Sequence, residues 1–122
     1  MPSTLLKSAV ACALAMLAAG SPATAQDYPT RNITIVVPLA AGTGMDSIVR
    51  IYAEDLSKAL GKPVVVENQP GAALMLAAQN VARATPDGHT LLLSTCAPMA
   101  VNPTLYKKVN YDADKDFVPL AL

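Results

Sequence analysis

A short apolar run that ends in a glycine-containing turn, with a helical pattern directly after it, constrains this chain more than any other feature. Ile33–Val37 is apolar and mostly β-branched, which predicts a buried strand. The segment Pro38–Gly44 contains two glycines, and the apolar rhythm of a helix begins at Ile48. Such a succession leaves backbone N–H groups free at a helix N-terminus, where the helix dipole attracts anions. We therefore predict that this turn binds a carboxylate.

Strands and helices alternate along the following sequence. The pattern predicts strands at Ile33–Val37, Pro63–Glu67 and Thr90–Thr95, helices at about Asp46–Leu60 and Ala73–Ala84, a short helical turn at Asn102–Tyr106 and the start of a strand at Phe117–Leu122. Alternation of this kind predicts right-handed βαβ units and a parallel sheet, so the expected fold class is α/β with three layers. The unbroken apolar character of Ile33–Val37 is typical of a central strand that is covered on both faces.

The first predicted helix has clear ends and one apolar face. Asp46 suits its N-terminus, and Gly61 is a natural residue to terminate it. The apolar residues that share one helical face are Ile48, Ile51, Tyr52, Leu56, Ala59 and Leu60.

A ligand is expected beyond the carboxyl ends of the strands, as in other parallel sheets. Three loops should meet there: Leu39–Gly44, Asn68–Gly71 and Thr95–Pro98. The candidate ligand-binding residues are Ala41, Gly42, Thr43, Gly44, Asp46, Asn68, Ser94, Thr95 and Cys96. Simpler roles stay open for three of them, because Gly42 can merely permit the turn, Asp46 can cap the helix, and Asn68 can shape its own loop. Thr95 is the preferred side-chain donor.

The remaining reactive residues do not form a recognisable catalytic or metal set. Cys96 is the only cysteine after the N-terminal leader, and it is either a reactive nucleophile or, more commonly for such a residue, a small buried hydrophobe. His89 is the only histidine, and a surface or turn role is favoured over metal binding. One cysteine and one histidine do not form a conventional zinc site, and Gly42–Gly44 lacks the continuation of a dinucleotide or phosphate-binding loop. We expect no catalytic residue, no metal and no cofactor.

Residues 1–25 have the layout of a secretory signal peptide. Lys7 precedes an uncharged stretch, Ala9–Ala19, and small residues at Ala23–Ala25 predict cleavage after Ala25. The apolar stretch is too short for a stable membrane span, so we expect a periplasmic protein beginning at Gln26. The formal net charge is +0 at pH 7 and no basic stripe is present, which argues against a nucleic-acid partner.

Several sequence phrases, in order, resemble one family. They are ITIVVP at 33–38 with Gly42 and Asp46, GKPVVVENQPGA at 61–72, ATPDGHTLL at 84–92, NPTLY at 102–106, and YD with KDF between 111 and 117. Together they resemble the Bug or TctC-type extracytoplasmic solute-binding receptors of tripartite tricarboxylate transporters. The sequence departs from the usual family pattern in the first loop at Thr43 and Met45, after Gly71 where Ala73, Leu74 and Met75 replace glycine-rich sequence, and at His89, where tyrosine is usual.

The resemblance implies a non-enzymatic, two-lobed receptor of the periplasmic-binding-protein (Venus-flytrap, type II-like) fold. Residues 26–122 would then be its first lobe, truncated before the second, and it would bind a small organic carboxylate such as a tricarboxylate or dicarboxylate. Binding in the family relies on backbone N–H groups and ordered water rather than a dedicated arginine. The implied partners are the membrane components of the transporter, and the receptor is expected to be monomeric.

Two other interpretations remain open at the level of the sequence. The chain is alternatively a fragment of a secreted α/β hydrolase or transferase that uses Asp46 or Cys96. It is also conceivable as a truncated remnant that binds nothing.

Overall fold

The computed structural model describes residues 27–121, and the predicted signal peptide therefore lies outside the described residues. The strands and helices are β1 (Ile33–Val37), α1 (Gly44–Leu60), β2 (Val64–Asn68), α2 (Met75–Ala82), β3 (Thr90–Leu92) and α3 (Asn102–Leu105). A π-helical turn, Ala97–Val101, leads directly into α3. Over residues 27–121, no helix has the length and apolarity that crossing a membrane requires.

The three strands form a parallel sheet in the order β2-β1-β3. Ile33 pairs with Val64 and Val37 with Asn68, so β1 and β2 end at the same level. The chain passes from β1 to β2 on one side of the sheet and then returns past β1 to β3 on the other side. Because both crossovers are expected to be right-handed and they run in opposite directions, α1 and α2 lie on opposite faces of the sheet. The predicted α/β parallel sheet with β1 at its centre is confirmed.

The core lies between β1 and α1. Ile35 and Val37 pack with Val49 and Ala53, and all four side chains are buried. On α2, two alanines are 0% exposed, which allows the helix to approach the sheet closely. Small side chains on both helices therefore set the distance between the layers.

The apolar face that the sequence singles out on α1 is not the buried one. Ile48, Ile51 and Tyr52 are 56%, 64% and 63% exposed. The helix instead buries the face that carries Val49 and Ala53, and Asp46 lies on the same side. Polar contacts of Asp46, described below, anchor this side of the helix to the end of β2.

Both ends of α1 have clear local causes. Thr43 is the N-cap residue, and its Oγ1 accepts a hydrogen bond from the backbone N–H of Asp46 at 3.3 Å. At the other end Gly61 adopts φ 66° and its N–H donates to the carbonyl of Ser57. This ending confirms the expected terminator, since a left-handed residue after a helix favours glycine.

The second crossover contains a strained left-handed turn, Gly71–Leu74. The φ angles are 137° at Gly71, 47° at Ala72, 53° at Ala73 and 70° at Leu74. For a residue with a Cβ atom this region costs roughly 1–2 kcal/mol. The helix predicted from Ala73 consequently begins only at Met75.

The C-terminal part departs from the predicted strands. β3 ends at Leu92 rather than Thr95. The strand predicted from Phe117 is wrong over residues 117–121, which form no regular element. Phe117 packs instead edge-on against Tyr111, with ring centroids 6.0 Å apart.

Candidate ligand-binding site

The side chain of Asn68 joins two of the predicted loops at the carboxyl edge of the sheet, where β1, β2 and β3 end. Its Nδ2 donates to the carbonyl of Leu39 and to Oδ1 of Asp46, each at 3.0 Å. Its Oδ1 accepts from Nη2 of Arg50, also at 3.0 Å. Asn68 therefore holds the loop after β1, and its three side-chain partners all lie outside its own loop.

Asp46 is the centre of this network. Its side chain is 5% exposed, and Oδ2 accepts from the backbone N–H of Gly42 at 2.8 Å. Arg50 contacts both carboxylate oxygens, with Nε 3.1 Å from Oδ2 and Nη2 3.0 Å from Oδ1. Both oxygens of Asp46 are thus occupied by groups of the protein itself.

The network keeps Asp46 ionised and balances its charge. The Arg50 guanidinium, followed by the Gly42 N–H and the Asn68 amide, lowers the pKa of Asp46 to about 2. The same hydrogen bond raises the pKa of Arg50. Sequence reasoning missed Arg50, although its spacing of four residues from Asp46 on one helix was a usable signal.

The loop itself is exposed beyond this anchor. Ala41, Gly42 and Gly44 are exposed, and Gly42 has φ 85°, which favours glycine. Oγ1 of Thr43 donates to the carbonyl of Ala40 at 3.0 Å, so this hydroxyl is used within the loop. The backbone N–H groups of Gly44 and Met45 donate to no acceptor within residues 27–121. They are the two free donors at the start of α1.

The third predicted loop follows β3. The N–H of Leu93 donates to the carbonyl of Val36 at 3.0 Å, which brings Ser94 and Thr95 to the end of β1. Oγ of Ser94 donates to the carbonyl of Thr95 at 3.1 Å. Oγ1 of Thr95 accepts from the N–H of Ala97 at 3.3 Å, which leaves its own hydroxyl hydrogen available to an acceptor.

Cys96 and His89 do not form a catalytic pair. Cys96 is a free, exposed thiol, so the expectation of a buried hydrophobe is wrong. His89 precedes β3 and lies at the opposite, amino end of the sheet, where it is 5% exposed rather than on the surface. Its Nε2 accepts from the N–H of Thr30 at 3.2 Å, and Nδ1 lies 3.1 Å from the carbonyl of Asp87. The expected turn role of His89 therefore holds.

The described residues offer little for metal or nucleophilic chemistry. Among residues 27–121 there is no group of three or more His, Cys, Asp or Glu side chains placed to hold a metal ion. Asp46 is fully engaged with Arg50, Asn68 and Gly42, and a base needs a free lone pair to accept a proton. What the carboxyl edge presents outward is backbone N–H groups and hydroxyls.

Comparisons with known proteins point to one family. The family model described as "Tripartite tricarboxylate transporter family receptor" matches residues 48–122. A UPF0065 protein of Bordetella bronchiseptica is 45% identical over 118 residues, which are 97% of this chain and 34% of that protein.

Solved structures agree. MatC from Rhodopseudomonas palustris with bound malate is 42% identical, with a TM-score of 0.73 over 78% of this chain and 32% of that one. A second R. palustris protein, solved with adipate, is 34% identical, with a TM-score of 0.67 over 71% of this chain and 29% of that one. The chain spans about a third of the length of these proteins.

Proposed function

Because this chain belongs to the receptor family of the tripartite tricarboxylate transporters, we propose that it is the part of a solute-binding receptor that captures a small organic carboxylate. Receptors of this family are extracytoplasmic binding proteins. MatC with malate and the second R. palustris protein with adipate make dicarboxylates the first ligand class to test.

The observation that carries the proposal is the anchored loop at the start of α1. Asp46, Arg50 and Asn68 hold it from the inside, while the N–H groups of Gly44 and Met45 have no acceptor among residues 27–121. A carboxylate placed there accepts these hydrogen bonds. It also gains from the helix dipole, which is typically worth about 0.3–1 kcal/mol at an exposed site. The ion pair between Asp46 and Arg50 cancels the charge that would otherwise repel an anion.

Thr95 supplies the second group of this site. Within residues 27–121 its hydroxyl hydrogen has no acceptor, and the N–H of Ala97 holds its Oγ1. The ladder contact of Leu93 to β1 places the segment that carries it. A hydrogen bond from a hydroxyl to a carboxylate is stronger than one between two neutral groups, because the acceptor is charged. Ala41, Gly42, Ser94 and Cys96 then line the rim, while Asp46 and Asn68 act by positioning the loop.

In this proposal the rest of a complete receptor supplies the opposite wall. A second lobe closing over the carboxylate would exclude water, which strengthens every hydrogen bond to the ligand, and would create the surface that the membrane components recognise. Export through the signal peptide predicted at residues 1–25 would place this event in the periplasm. A monomer is sufficient for it.

Isothermal titration calorimetry with L-malate tests the proposal. The matched control ligand is the neutral diamide of malic acid, which has the same skeleton without the charges. We expect saturable binding of malate and adipate, none of the diamide, and recovery of malate unchanged. Malate converted to a product, with the conversion abolished by Asp46→Asn, would favour the enzyme interpretation instead. Failure to bind any dicarboxylate would favour the non-binding remnant.

A further inference from the structure

The left-handed turn Gly71–Leu74 holds a backbone that its sequence does not favour. Three consecutive residues with Cβ atoms have φ between 47° and 70°, where glycine would be unstrained. Strained backbone of this kind persists only where the surrounding structure determines it, and it concentrates at ligand sites. A contact from the surrounding structure is therefore needed to hold the turn.

Asn102 is the residue that holds it. Its side chain is buried, 4% exposed, and Nδ2 donates to the carbonyl of Ala73 at 2.7 Å across 29 residues of sequence. Within the turn, the N–H of Leu74 donates to the carbonyl of Gly71 at 2.9 Å. Over residues 27–121, the bond from Asn102 is the hydrogen bond that ties this turn to another element.

The segment that carries Asn102 is itself fixed. The hydroxyl of Tyr111 donates to the carbonyl of Pro98 at 2.6 Å in a buried position. Pro98 belongs to the π-helical turn Ala97–Val101, which packs against the left-handed turn and runs directly into Asn102. The chain after β3 thus packs against the chain after β2 and supports it.

The turn lies at the carboxyl edge of the sheet. It begins three residues after Asn68, whose side chain anchors the loop at the start of α1, and its support begins directly after Cys96. Ala72 and Ala73 are exposed there. The turn therefore adjoins both the residue that positions the loop at the start of α1 and the segment that begins after Cys96, which lines the proposed rim.

We propose that the left-handed turn Gly71–Leu74 is a further wall of the carboxylate site and that Asn102 is its positioning residue. This inference rests on the proposed function. Asn102 does not contact the ligand; it acts by keeping a strained backbone in the shape that the ligand requires. If that is its role, removing the strain must reduce the need for Asn102.

A cycle of variants tests this dependence. Asn102→Ala removes the hold, and Ala72→Gly with Ala73→Gly removes strain by deleting two exposed methyl groups, because glycine adopts positive φ readily. We expect Asn102→Ala to weaken malate binding about tenfold, corresponding to about 1.4 kcal/mol. The two glycines should raise the melting temperature and, combined with Asn102→Ala, restore affinity to within about threefold of the parent. Asn80→Ala, which removes an exposed asparagine on α2, is the matched control and should leave affinity unchanged.

Each outcome decides the matter. If Asn102→Ala lowers the melting temperature but leaves malate affinity unchanged, Asn102 is structural only and the inference is wrong, while the proposed function stands. If the glycines fail to restore affinity, positioning through strain is equally wrong. If Asn102→Ala does not fold alone, recovery of folding and binding in the triple variant supports the inference, and no recovery overturns it. A parent that binds no dicarboxylate overturns the proposed function and the inference together.

Discussion

Asn68 donates a hydrogen bond of 3.0 Å to the carboxylate of Asp46, a residue 22 positions earlier in the chain. Asn68 is the last residue of β2 and Asp46 lies in the first turn of α1, so this contact joins the end of a strand to the start of a helix. The same amide also holds the carbonyl of Leu39. The loop between Leu39 and Asp46 is therefore positioned from within, and its outward N–H groups stay free.

Asn68→Ala should destabilise the protein by about 1–3 kcal/mol, because it leaves buried acceptors without their donor. Urea unfolding followed by circular dichroism measures the change. Asn80→Ala is the control, since the amide of Asn80 makes an exposed contact to Gln69 and its loss should change stability by less than about 0.5 kcal/mol. Equal effects of the two substitutions would contradict the anchoring role of Asn68.

Acid should weaken the fold in a defined window. The pKa values of Asp46 and Asp87 are both lowered from 3.8 to about 2, the first chiefly by Arg50 and the second chiefly by Arg31. A carboxyl with a lowered folded-state pKa contributes stability that is present above its unfolded value and lost as the pH falls through the folded one. We therefore expect urea midpoints to fall between about pH 4 and pH 2.

Asp46→Asn and Asp87→Asn separate the two contributions to this acid sensitivity. Each variant should be less stable than the parent at pH 7 and should lose less stability between pH 4 and pH 2, because one titrating group is gone. Parallel pH profiles for the parent and both variants would show that neither ion pair is responsible.

The rotation of α1 is tested by truncating one residue on each face. Val49→Ala should cost about 2 kcal/mol because Val49 is 2% exposed and packs against Ile35 and Val37. Ile51→Ala removes a larger side chain, but Ile51 is 64% exposed, so the change should stay within about 0.5 kcal/mol. The reverse ranking in urea unfolding would mean that the helix buries its other face.

Thr95→Val should weaken malate binding about tenfold, since it keeps the shape of the side chain and removes the hydroxyl donor. Thr95→Ser is the control, because it retains the hydroxyl and should bind within about threefold of the parent. Both affinities are measured by calorimetry. Equal affinity in the valine variant would remove Thr95 from the ligand site.

The order of elements and the meeting of three loops at the carboxyl edge were predictable because they follow from local signals. The run Ile33–Val37 is apolar and β-branched, as is typical of a central strand, and Gly61 stops α1 where a left-handed residue is needed. Because alternating strands and helices form a parallel sheet, the loops after β1, β2 and β3 all lie at its carboxyl edge.

What the sequence did not reveal depends on contacts between distant residues. The buried face of α1 is set by Asp46 reaching Asn68, and a count of apolar side chains favours the wrong face. Ala73 adopts a left-handed conformation and its carbonyl accepts a hydrogen bond from Asn102, 29 residues away, and nothing in the local sequence predicts positive φ for alanine. The spacing of Arg50 from Asp46 indicates an ion pair, but the importance of that pair follows from the burial of Asp46, which the sequence does not show.

Amide chemical shifts of the ¹⁵N-labelled protein during a titration with L-malate test the proposed site most directly. We predict the largest shifts at Gly42, Gly44 and Met45 and at Thr95, all at the carboxyl edge of the sheet, with no change at His89 near the amino ends of the strands. Shifts confined to the amino ends, or no shift at saturating malate, would contradict carboxylate binding at the start of α1.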